Sequence, residues 1–143
     1  MANLTAERDT PRMISQYDGS FAIPALVGAV VFKGGLVKAG TAGTGTKGGG
    51  ATATGNKTLG RAKKTFNPAV AGDIIEYETG IFLFANAGAI VAASRGLVCY
   101  ADDDQTVSLT ATNMVAGRVY DVTTAGVWVI VDGGISNTSV VGN

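Results

Sequence analysis

Residues Gly43 to Gly48 read GTGTKG and match G-x-G-x-x-G, the glycine pattern of dinucleotide-binding loops. The overlapping run from Gly40 to Lys47, GTAGTGTK, resembles a phosphate-binding P-loop. Either site needs its glycines at a strand-to-helix turn, because the amino terminus of the helix then faces the phosphates. The first question is therefore whether this chain binds a nucleotide.

The residues that follow the glycine pattern argue against a nucleotide site. The sequence after Gly48, GGATATGNKTLG, adds glycines and β-branched threonines and has no apolar stripe of helical period, so no helix is predicted there. Thr46 occupies the lysine position of a P-loop, and the next acidic residue is Asp73, too far along to hold a ribose. We therefore expect no nucleotide and no other cofactor. The segment 40–55 is interpreted as a flexible surface insertion in which alanine at Gly43, Gly45 and Gly48 is tolerated.

The acidic triplet Asp102, Asp103 and Asp104 suggests calcium binding at first sight. A helix–loop–helix calcium site needs carboxylates at alternate loop positions, with a glycine and a distal glutamate, and DDDQTVSL supplies none of these. Consecutive side chains of a strand also point to opposite faces. The triplet is therefore predicted to be a solvated hairpin turn, and no metal site is expected.

The residue types that most enzymes use are scarce in this chain. It has no histidine, which removes the commonest general base and zinc ligand. The lone Cys99 excludes an intramolecular disulfide and a CxxC metal site, and its strand-like context, GLVCYA, predicts a buried small apolar residue. We expect the protein not to be an enzyme; an enzyme that needs no histidine would instead require paired carboxylates in a pocket.

The charge distribution does not favour binding to nucleic acid or to lipid. Eleven basic residues balance eleven acidic ones, and no apolar segment is long enough to cross a membrane, so neither nucleic acid nor a membrane is an expected partner. The only basic cluster is Arg61, Lys63 and Lys64, in which Arg61 and Lys63 would share one strand face. The cluster is either a solvated face or a contact to an acidic protein surface.

These residues must be positioned by short strands. The chain has 143 residues, 46% of them apolar and 21 of them glycine, with valine and isoleucine in short runs, which favours an all-β domain: a single compact β-barrel or β-sandwich. We divide it into a polar arm at 1–20, a core at 21–132 and a tail at 133–143. Hairpins are predicted at Thr79–Gly80, around the acidic triplet, and at Thr123–Gly126. The arm is either extended, reaching roughly 50 Å over its first sixteen residues, or a frayed terminus.

The order of the segments resembles that of the capsid cement, or head decoration, proteins of tailed bacteriophages. The resemblance rests on ANLTAERDTP, on LGRAKKTF followed by AGDIIEYETGIFLFAN, and on VCYADDDQTVSL followed by AGRVYDVTTAGVWVIVD. It extends from near the amino terminus to about Asp132. The insertion at 40–55 is longer than this pattern implies, and the tail after Asp132 continues beyond its usual end.

The resemblance implies a structural virion protein on the capsid exterior, assembled in the bacterial host cytoplasm. Its partners would be the major capsid protein and its own copies, with a homotrimer expected before a dimer, and no small-molecule substrate. The candidate contacts are mostly residues of the arm, with two basic residues and one tryptophan of the core: Leu4, Arg8, Pro11, Arg12, Met13, Ile14, Arg61, Lys63 and Trp128. Trp128 is either core or interface. A small soluble β-barrel module that binds a peptide or nucleic acid, without a virion role, is the alternative, although neutral charge and 7% aromatic residues disfavour nucleic acid.

Overall fold

The computed structural model describes residues 2–13, 19–40, 42–52 and 56–133, with only the backbone of Arg12 and Met13. Ile14 and the tail beyond residue 133 lie outside the described residues. The described chain is all-β, as the composition predicts. Its ten strands are β1 (Arg12–Met13), β2 (Gly19–Pro24), β3 (Leu36–Ala39), β4 (Gly45–Lys47), β5 (Lys57–Ala62), β6 (Ile74–Asn86), β7 (Val98–Ala101), β8 (Thr106–Ser108), β9 (Met114–Thr123) and β10 (Gly126–Val131), with a 3-10 turn at Ala92–Ser94.

The strand β6 is the centre of the fold, and the hairpin predicted at Thr79–Gly80 is wrong. β6 runs through Gly80 without turning, for 13 residues. Its first half pairs with β2 and its second half with β10. Both halves also have a partner on the opposite edge: Tyr77 pairs with β2 and β5, and Phe82 with β1 and β10. A glycine beside a threonine resembles a turn in sequence, but partners on both edges hold this segment extended.

The second half of β6 closes a ring of five strands. β6 pairs with β10, β10 with β9, β9 with β7, β7 with β8, and β8 returns to β6. All these pairings are antiparallel except that between β8 and β6, which is parallel. The ring encloses the larger hydrophobic core, in which Phe82, Phe84 and Cys99 are fully buried. The predicted hairpins β7–β8 and β9–β10 are confirmed, and they supply four of the five strands.

The first half of β6 carries a second, smaller core. β5 continues the sheet from β6 to β3 and β4, and a bridge between Ala25 and Gly45 connects the end of β2 to β4. Val31, Val37 and Ile75 are buried between these strands. The molecule therefore has two apolar clusters that share one long strand.

The glycine-rich segment belongs partly to this second sheet, which corrects its interpretation as a surface insertion. Gly45–Lys47 form β4, paired with β3. A Cβ at Gly45 would lie 2.6 Å from Ile23 Cγ2, and one at Gly48 would lie 2.9 Å from Leu36 Cβ. Alanine at these two positions is therefore not tolerated freely, contrary to the expectation from sequence. Small residues occur here because neighbouring strands approach closely.

Candidate interaction surface

The amino-terminal arm is extended, and it lies along its own domain. We define the arm as residues 2–13. The Arg8 backbone N–H donates to Lys33 O at 2.8 Å, and the Leu83 N–H donates to Pro11 O at 2.9 Å. Beyond these bonds, Arg12 and Met13 pair with Phe82 and Ile81 of β6. The arm therefore occupies a groove between the turn at Lys33–Gly34 and the edge of β6.

Side chains fix the arm in this groove at two points. The Arg8 guanidinium donates to Leu83 O and to Gln105 O at 3.3 and 3.4 Å. Burial lowers the pKa of Arg8, and the nearby Asp104 charge opposes that shift. Thr10 is buried and its hydroxyl donates to Gly34 O. Arg8, a predicted contact to a neighbour in the capsid, thus binds carbonyl groups of its own chain.

The beginning of the arm is tied to the turn between β7 and β8. Leu4 N–H donates to Asp104 Oδ1 at 2.8 Å, Asp104 N–H donates to Asn3 Oδ1 at 3.3 Å, and Gln105 Nε2 donates to Ala2 O at 2.8 Å. These bonds connect positions about a hundred residues apart in sequence. Nothing in the sequence pattern indicates this pairing, because hydrogen bonds to an irregular segment have no periodicity.

The acidic triplet is a turn, as predicted, but it is not solvated. Asp103 and Asp104 are buried, whereas Asp102 is half-buried and accepts from Ser108 Oγ and Asn113 Nδ2. The arm and the glycine segment cover the triplet, which explains the burial. Burial raises the pKa of the Asp104 carboxyl; the hydrogen bond from Leu4 opposes that shift.

A polar pocket opens beside this turn. It has a volume of about 330 Å³ and is lined by the arm, by β3 and β4, by the glycines after β4 and by the acidic turn: Asn3, Lys38, Thr46, Lys47, Gly48, Gly49, Gly50, Asp102 and Asp103. Asp103 Oδ1 accepts from the Gln105 N–H at 3.0 Å, and its buried Oδ2 has no hydrogen-bond partner among the residues that the structure describes. Two lysines and two carboxylates balance the charge of the lining.

The predicted basic cluster does not form one surface. Arg61 is half-buried: its guanidinium donates to Thr10 O, pairs with Glu78, and lies 4.4 Å above the centre of the Phe82 ring. Lys63 lies beyond the end of β5, is exposed, and donates to Ser20 Oγ at 2.9 Å. Arg61 therefore fastens the arm to β6 and is not available to a partner, which corrects its assignment as a surface contact.

Trp128 is neither a core residue nor a fully exposed interface residue, the two alternatives that the sequence left open. It is half-buried in β10, where it pairs with Leu83 of β6 on one side and with Asp121 of β9 on the other. It is absent from both buried clusters, whose members from β10 are valines.

An exposed apolar surface, which the sequence did not reveal, lies at the start of β6. Two loops meet there: Gly28 N–H donates to Pro68 O and Ala25 N–H donates to Asp73 O, at 2.9 and 2.8 Å. Four apolar side chains of these loops, and Ile74 at the start of β6, are between 37% and 62% exposed. We name these residues the apolar tip: Leu26, Val27, Val30, Val70 and Ile74. The Asp73 carboxylate accepts from the Ala69 and Val70 N–H groups, which fixes the turn that presents Val70.

The sequence contains one signal for the apolar tip. The runs PALVGAVVF and FNPAV carry no charge, and the valines of the first run favour a strand. Only β2 up to Pro24 is a strand, and the rest of that run is loop. Val31 of this run is buried in the second cluster, whereas Leu26, Val27 and Val30 have no sheet face to cover them and remain at the surface.

Searches of protein-family models, of curated proteins and of solved structures found no match to this chain. Among the described residues, no group of three or more acidic or cysteine side chains is placed to hold a metal ion. The part of the chain that the structure describes also contains no helix long and apolar enough to cross a membrane.

Proposed function

We propose that this protein is a structural virion protein that binds the outer surface of an expanded icosahedral phage capsid and stabilises it. In this proposal the contacts are multivalent and join the protein to the major capsid protein and to its own copies. The observation that carries the proposal is the apolar tip. Exposed apolar residues are typical of the centre of a protein–protein interface. The Asp73 carboxylate among them accepts hydrogen bonds from the Ala69 and Val70 N–H groups.

The size of the apolar tip supports a multivalent partner. Five partly exposed aliphatic side chains present on the order of 400 Å², well below the roughly 800 Å² per partner of a stable pairwise interface. A single contact of this size is weak. Repeated on a lattice, with several subunits joined, weak contacts give tight binding because all of them must open together. A protein that binds only the assembled shell also stabilises it by mass action.

The test of the proposal is co-sedimentation with undecorated expanded capsids. Replacing Val27 and Val70 by serine should lower the amount of protein that pellets at least tenfold, because the substitutions remove apolar area from the contact and leave the buried clusters untouched. Val91→Ser is the matched control. Val91 is similarly exposed and follows the far end of β6, a strand about 40 Å long. Equal binding by the tip variant and the control would contradict the role of the tip.

The polar pocket favours a second candidate function, a small module that binds a peptide. Its balanced carboxylates and lysines suit a segment carrying both signs of charge. A peptide library panned against the purified protein would identify such ligands. Substitution of Lys38 and Asp102 should then abolish the binding, while Lys63, which lies outside the pocket lining, serves as the control.

A further inference from the structure

The arm is separable from the folded core. Within residues 2–11, the part of the arm whose side chains the structure describes, no residue belongs to either hydrophobic cluster. The contacts of the arm are chiefly hydrogen bonds to backbone groups and to the Asp104 turn. The described members of both buried clusters come from outside the arm, so we treat docking of the arm as a local step on the folded domain.

The groove presents hydrogen-bonding groups that match the arm. The Leu83 N–H, the Gly34 carbonyl and the Asp104 carboxylate each make a hydrogen bond to the arm. Docking of an arm therefore replaces bonds to water at these groups with bonds to protein. The groove fits the arm sequence by its register on β6 and by the Arg8 and Thr10 contacts. The arm of any identical copy satisfies it equally well.

The chain is long enough for an arm to reach another copy. Met13 pairs with Ile81 and Gly19 pairs with Thr79, two positions apart on β6, or about 7 Å. Five residues, 14–18, connect Met13 to Gly19. Their six steps can span about 20 Å. The connection is thus far longer than docking in the same chain requires.

We propose that neighbouring copies exchange their arms, so that residues 2–13 of one copy fill the groove of the next. This inference rests on the proposed function, because the capsid lattice holds copies within reach of one another. Exchange replaces each contact within a chain by the same contact between chains. Only the length of the connection 14–18 and the local concentration of copies therefore decide between docking in the same chain and exchange. Exchanged arms join subunits without any new interface, and a subunit leaves only when two grooves open.

A disulfide between arm and groove distinguishes the two arrangements. Gln105 Nε2 donates to Ala2 O, which places these residues side by side. The double variant Ala2→Cys with Gln105→Cys would be bound to expanded capsids, oxidised and run on a denaturing gel. Cys99 is fully buried and does not interfere. We expect covalent multimers that require both cysteines, with neither single variant forming them. A product that migrates only as a closed monomer would overturn the proposal.

If the two introduced cysteines form no disulfide, a distance measurement distinguishes exchange from docking in the same chain. Copies spin-labelled at Ala2→Cys are mixed with copies labelled at Gln105→Cys and bound to capsids. Exchange gives the same short label distance in this mixture as in a doubly labelled chain, and its absence from the mixture refutes exchange. Pelleting is measured on the same samples. Saturable pelleting without exchange refutes this inference alone, whereas no pelleting refutes the proposed function.

Discussion

Gly49 gives the sharpest prediction about how the glycine segment is held. It follows β4, adopts a left-handed backbone with φ of 91°, and a Cβ there would lie 2.4–2.6 Å from the backbone C, Cα and O atoms of Asp103. Gly50 has nearly the same φ, 85°, and no atom within 4 Å of its Cβ position. Gly50→Ala therefore costs only the backbone term, about 1–2 kcal/mol. Gly49→Ala adds the displacement of Asp103, a further 1–3 kcal/mol or so.

Thermal unfolding of the two variants measures this difference. An excess of about 2 kcal/mol should place the Tm of Gly49→Ala about 4–8 °C below that of Gly50→Ala. The comparison removes the shared cost of the left-handed backbone, so the remainder reports the contact between the glycine segment and the acidic turn. Equal Tm values for the two variants would refute the reasoning, because they would mean that the segment does not pack on Asp103.

Three further predictions concern charged and titrating groups. Arg61→Met should cost about 3 kcal/mol in denaturant unfolding, because it removes a largely buried ion pair with Glu78, whose two side chains are only 12–13% exposed, together with the bond to Thr10 O. Lys64→Met, at an exposed ion pair, should change stability by less than about 0.5 kcal/mol. Similar losses in both variants would contradict the account. Burial raises the pKa of the Cys99 thiol to about 12, so a thiol reagent should label Cys99 only after unfolding, and full labelling of the native protein would show that β7 opens readily. Asp104 has a raised pKa in the folded state, which means that the native protein binds its proton more tightly than the unfolded chain does. Ionisation of Asp104 should therefore lower the free energy of unfolding as the pH rises from the ordinary pKa of an aspartate, near 3.8, through the raised pKa of the folded state. The variant Asp104→Asn should lack this loss of stability. A pH profile that the substitution leaves unchanged would refute the assignment.

The strands that have a local signal were predictable from sequence. β9 and β10 alternate valines with polar residues around a short turn, and β7 and β8 surround the acidic triplet, so both hairpins follow from pattern alone. β6 was not predictable in this way. Whether Thr79–Gly80 bends depends on strands from distant parts of the chain, and no local pattern encodes those partners.

The surroundings of the acidic triplet and of Arg61 were hidden for the same reason. Charged residues in a short turn or beside other charges are solvated in most proteins, and that expectation needs no knowledge of the rest of the chain. Here the arm, which comes from the beginning of the sequence, covers Asp104, and Thr10 O of the arm accepts a hydrogen bond from the Arg61 guanidinium. The apolar tip was hidden for a different reason: a run of valines favours a buried strand in sequence, and here most of the run is a loop.

One measurement tests the central claim most directly: titration of the purified protein onto undecorated expanded capsids, with unexpanded capsids and free nucleotide as the two comparisons. A cement protein pellets saturably with expanded capsids at a fixed ratio to the major capsid protein, indifferent to nucleotide, and binds unexpanded capsids poorly. The absence of pelleting at every concentration would contradict the virion role and leave the peptide-binding module as the function to pursue.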